Sequence, residues 1–89
     1  MTTNCHQIDL ALDIAKAHEN SISELVDGWT KVDRVIYMNQ PLTSALKDEI
    51  KKKTSTLRYR SFAGSSHYPA DEGFVCDEHS IAISFPVKK

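Results

Sequence analysis

NCHQIDLALDIAKAHENSISELVDGW, Asn4 to Trp29, is the stretch on which the reading of the fold turns. Ile8, Ala11, Leu12, Ala15, Ile22, Leu25, Val26 and Trp29 recur at three- and four-residue steps. That spacing gathers them on one stripe of a 3.6-residue helix and leaves Asp9, Asp13, Lys16, Glu24 and Asp27 off it. Asn4 and Gln7 form a capping box at the start. Gly28 falls just past the end, where a left-handed residue costs glycine nothing. Ser21 and Glu24 repeat the capping pattern inside the run, but the apolar phase continues across them. One long helix is the expectation, and two shorter helices broken near Asn20 are the alternative.

Downstream, KVDRVIYM (31–38) is β-branched and aromatic and ends as a continuous apolar run, the mark of a strand buried on both faces. Asn39, Gln40 and Pro41 stop it, and Pro41 suits the first turn of a following helix. Leu42, Ala45, Leu46 and Ile50 make a second helical stripe that closes in Lys51, Lys52 and Lys53, cations at the negative end of the helix dipole. TSTLRYRSFA (54–63) alternates as a strand, and GSSHYPADEG (64–73) has the residues of a surface loop. Residues 74–76 and 80–87 read as a hairpin closed around Asp77, Glu78 and His79. Its second strand sets Ile81, Ile83, Phe85 and Val87 against Ala82 and Ser84.

The expected order is thus α-β-α-β-β-β within a single α+β domain over residues 1–89. It forms a two-layer sandwich with both helices packed on one face of a mixed four-stranded sheet. The strand–helix–strand unit at 31–63 suggests a crossover joining parallel neighbours, with the hairpin extending the sheet antiparallel. A two-layer domain can leave one sheet face open, and apolar surface there would suit a homodimer.

At 89 residues there is material for one modest core. With 40% hydrophobic and 26% charged residues the chain is ordinary globular material, and a net charge of −1 excludes bulk attraction to polyanions. The charge is unevenly spread: residues 41–70 carry six basic and two acidic groups, whereas residues 1–40 carry three and six. Two cysteines are too few for a disulfide scaffold. The N-terminus lacks the pattern of a signal peptide, and no apolar run approaches the roughly 18 residues a membrane span needs. A cytoplasmic protein with reduced thiols and no membrane partner is expected; the acidic polar side of the first helix also has the wrong sign for anionic lipid.

Five groups of residues could carry chemistry or binding. Cys76 and His79 form a C-x-x-H pair at a tight turn, and Cys5 and His6 offer two more metal ligands near the other end. Adjacent Cys-His is an unusual ligand spacing and nothing in the sequence brings the ends together, so neither metal nor cofactor is expected. Ser65, Ser66, His67 and Asp71 share one loop and lack a G-x-S-x-G elbow, so no catalytic residue is assigned. Lys47, Lys51, Lys52, Lys53, Arg58 and Arg60, interleaved with Tyr59 and Phe62, are a candidate nucleic-acid surface, although strand alternation should point Tyr59 away from both arginines.

For protein binding, Asp9, Asp13, Glu24 and Asp27 could meet a basic partner. His67, Tyr68, Asp71 and Glu72 offer an aromatic anchor flanked by charge. The leading expectation is a non-enzymatic regulator or inhibitor that binds and occludes a protein partner, as many small domains encoded by phages and mobile elements do. Nucleic-acid binding through residues 47–60 is the alternative, and a small metal-dependent domain or enzyme using Cys76 and His79 is the third.

Overall fold

The computed structural model describes residues 5–28, 32–67 and 69–87. The opening stretch does not make one helix, nor two. Helix α1 runs His6–Ala17 and is followed by a strand, β1, Ile22–Asp27. Between them the chain turns through a Schellman motif: the Asn20 N–H reaches the Ala15 carbonyl and the Glu19 N–H the Lys16 carbonyl, both at 3.0 Å. Glu19 takes the left-handed position at φ 63°, where glycine is usual. Asn20 is buried and locks the turn, its amide donating to the Gln40 carbonyl at 3.1 Å and its Oδ1 accepting from the Gln40 N–H at 3.0 Å. The helical phase of Ile22, Leu25 and Val26 is coincidental: on β1 Leu25 and Val26 point to opposite sides. Gly28 does adopt the expected left-handed conformation, φ 75°, but at the end of a strand. Asn4 and Trp29 lie outside the described residues; Cys5 holds the N-cap position without a side-chain cap.

The remaining elements are β2 (Arg34–Met38), α2 (Ser44–Lys53), β3 (Arg58–Phe62), β4 (Asp71–Cys76) and β5 (Ile81–Pro86). Among the described residues the sheet has five strands rather than four, in the order β1-β2-β5-β4-β3. All neighbours are antiparallel except the β2–β5 pair. The crossover through α2 therefore carries the chain from β2 to the far edge, not to a neighbouring position. The C-terminal hairpin fills the gap and forms the centre instead of extending the sheet. Its side chains account for this: Ile81 to Phe85 are all buried, and small Ala82 and Ser84 let the second face close as well.

Both helices contribute to one core with one face of the sheet: Ile8, Leu12, Leu46 and Ile50 meet Ile36, Ile83, Phe74 and Phe85. Leu25, Ile36, Ile83, Phe74 and Tyr59 stand in register across all five strands. The row is sealed at its centre and 45% exposed at Leu25. Thr43 caps α2 by accepting from the Leu46 N–H at 3.2 Å. On the other face Val35, Val75 and Ala82 form a smaller buried cluster joined by Val32 and Tyr37, so its centre is not the exposed apolar surface expected for a homodimer. Gly73 is required in β4, since a Cβ there would lie 1.9 Å from the Ile83 carbonyl oxygen. No helix among the described residues is long and apolar enough to cross a membrane.

Candidate functional site

The division of the first stretch separates the expected acidic face. Asp9 and Asp13 remain one turn apart on α1, whereas Glu24 and Asp27 stand on β1. Asp27 accepts from Arg34 Nε at 2.7 Å, and Glu24, opposite Tyr37, is exposed. β1 is an edge strand whose outer backbone side pairs with no other strand among the described residues. Residues 5–28, which hold α1 and β1, carry five acidic side chains and one basic.

The segment that spans α2 and β3 is basic. Residues 44–62, which span α2 and β3, carry six basic side chains and two acidic. Alternation along β3 splits the expected basic surface, as anticipated for Tyr59. That residue turns toward α2, where Lys47 and Lys51 place their Nζ atoms 4.4 and 4.7 Å from its ring centre. Its hydroxyl donates to Glu72 at 2.6 Å, and its ring packs edge-on against Phe74. The bond to Glu72 raises the Tyr59 phenol above its ordinary range, desolvation adding to it and Lys47 opposing it.

Arg58 and Arg60 lie on the other side of the strand. Arg58 grips Asp77 through two bonds of 3.0 and 3.1 Å, which hold the Asp77 carboxyl below its usual range. Arg60 donates to Asp71 at 2.9 Å, and Asp71 also accepts from the buried Ser84 hydroxyl at 2.8 Å. Lys52 and Lys53 are exposed at the end of α2.

The expected loop site is dismantled by the same contacts. Asp71 and Glu72 belong to β4 and are engaged by Arg60, Ser84 and Tyr59. His67 is exposed, and Tyr68 lies outside the described residues. With its carboxylate held by Arg60 and Ser84, Asp71 is poorly placed to orient His67 in a Ser–His–Asp arrangement.

The metal candidates fare differently. Cys5 at the start of α1 meets Cys76 and His79 at the β4–β5 turn, and their ligand atoms all lie within 4.8 Å of one another. Cys76 Sγ is 3.3 Å from His79 Nδ1. This contact raises the His79 imidazole above its usual range against partial desolvation, with Glu78 adding to it. Both cysteines are buried, neither is in a disulfide, and His79 is exposed. His6, the fourth candidate, is exposed at the first position of α1 and is not in the cluster. The sequence marked the C-x-x-H pair, but the approach of Cys5 depends on how α1 lies across the sheet.

Fold and side-chain geometry define a small α+β domain with an edge strand that bears Glu24 and Asp27, a basic α2–β3 side and a thiol–imidazole cluster at the β4–β5 turn. No protein-family model, curated protein or solved structure matches the chain.

Proposed function

We propose that this chain is a non-enzymatic binding module that regulates a protein partner by occluding it, and that the partner docks on β1 through a basic, extended segment. The observation that supports this reading is the state of the β1 edge. Its outer backbone groups are unpaired by any described strand, Leu25 is 45% exposed beside them, and exposed Glu24 carries negative charge. An added strand would gain main-chain hydrogen bonds from the edge, an apolar contact from Leu25 and charge complementarity from Glu24. Edge strands are commonly blunted by lysine, proline or a bulge. β1 has neither lysine nor proline, and its one irregularity lies between Ile22 and Glu24, away from Leu25, Val26 and Asp27.

The basic segment 47–60 gives weaker support to nucleic acid as the partner. Lys47 and Lys51 lie on the helix side with Tyr59, whereas Arg58 and Arg60 lie on the other side and are already paired with carboxylates.

Capture from host lysate separates the two. The native chain should retain a discrete protein band after nuclease treatment, and the Glu24→Lys/Leu25→Lys variant should lose it. Asp9→Lys/Asp13→Lys should weaken it, and Lys52→Glu/Lys53→Glu should leave it. A band lost with nuclease, or lost with the lysine variant and kept by the β1 variant, moves the function to nucleic acid or to the basic edge.

A further inference from the structure

We propose that Cys5, Cys76 and His79 form a binding site for one zinc ion, with two thiolates and one imidazole as ligands and the fourth position open to solvent. The three ligand atoms already lie within 4.8 Å of one another, and the Cys76–His79 pair stands at 3.3 Å. A tetrahedral zinc with Zn–S near 2.3 Å and Zn–N near 2.0 Å requires sulfur and nitrogen about 3.5 Å apart and the two sulfurs about 3.8 Å apart. Small shifts of the side chains therefore bring the three donors onto one ion.

Charge and softness agree with this choice. Two thiolates cancel the charge of a divalent ion, so the site places no net charge beside the core in which Cys5 and Cys76 are buried. Sulfur and imidazole donors without a carboxylate select zinc over magnesium or calcium. Each thiol gives its proton to solvent as the metal–sulfur bond forms, so uptake is coupled to proton release.

The site also ties together parts of the chain that are remote in sequence. Cys5 stands at the N-terminus of α1, whereas Cys76 ends β4 and His79 lies in the turn that joins it to the central strand β5. A metal held by all three clamps the helix to the sheet at the end opposite the Asn20–Gln40 lock. Zinc at a free concentration c then stabilises the native state by RT ln(1 + c/Kd), because the unfolded chain does not hold the three donors together.

The test uses the reduced, full-length chain. Cobalt(II) should bind at one equivalent, give the sulfur-to-metal charge-transfer and intense visible bands of a tetrahedral thiolate site, and be displaced by zinc. Because loss of outer-sphere partners alone costs 10–100-fold in affinity, His79→Ala and Cys5→Ser should each weaken zinc by more than about 100-fold. His79 is exposed, so its variant keeps the fold and reports on the ligand role alone. His6→Ala should bind zinc as the native chain does, and zinc should raise the melting temperature of the native chain but not of His79→Ala. Absence of thiolate bands overturns the proposal, as does uptake unchanged by His79→Ala. A Cys5–Cys76 disulfide that forms readily while the reduced chain takes up no metal overturns it in favour of a redox pair.

Discussion

β1 and β3 close the two ends of one sheet, and each pairs on a single side, yet their side chains are committed to very different degrees. On β3, Tyr59 sits under two lysines and bonds Glu72, Arg58 grips Asp77, and Arg60 donates to Asp71, which also accepts from Ser84. On β1, Asp27 pairs with Arg34 of the neighbouring strand, and Leu25 is 45% exposed. The difference follows from the helices. α2 passes beside β3 and supplies Lys47 and Lys51, whereas α1 packs against α2 and the middle of the sheet. One edge is knitted into the fold, whereas the other pairs on its outer side with no strand among the described residues, which is why β1 is the docking edge we propose.

The in-register row from Leu25 to Tyr59 gives the largest contrast. Phe74→Ala, inside the row and fully buried, should cost about 3–5 kcal/mol in denaturant unfolding. Leu25→Ala at the open end should cost less than about 1 kcal/mol; an equal cost would mean that β1 is as integrated as the rest. Next in size is Asp71→Ala, which strands the buried Ser84 hydroxyl and the Arg60 guanidinium and should cost about 1–3 kcal/mol. Asp27→Ala breaks an exposed pair and should change stability by less than about 0.5 kcal/mol.

Glu19→Gly relieves the left-handed residue that leads into β1 and should stabilise the chain by up to about 1 kcal/mol. The smallest effect is in pH. The Tyr59 phenol is raised by Glu72, so its contribution is fully present below the ordinary tyrosine range and is lost as pH rises through the raised value. Alkaline melting curves should show this loss for the native chain and not for Tyr59→Phe.

Much of the sheet was legible because the residues carry it locally. The alternation of Ile81, Ile83 and Phe85, the apolar end of β2 and the turn around Asp77, Glu78 and His79 all appear where composition and period put them, with Ser80 added to the turn. The first stretch misled because Ile22, Leu25 and Val26 continue a helical phase while forming a strand. The signal that ends α1 is a left-handed glutamate, which no residue preference announces. Gly28 was correct in conformation and wrong in element. Strand order was illegible because the chain leaves a gap between β2 and β3 that only the last hairpin fills. The Cys5 contact was hidden for the same reason: its partners lie at the far end of the chain and meet it through tertiary packing.

The central claim is that β1 is the docking edge. It is tested most directly by backbone amide exchange on the chain with and without its captured partner. The account predicts added protection over residues 22–27, with β3 residues 58–62 unchanged. Protection that appears at 58–62 and spares 22–27 contradicts it.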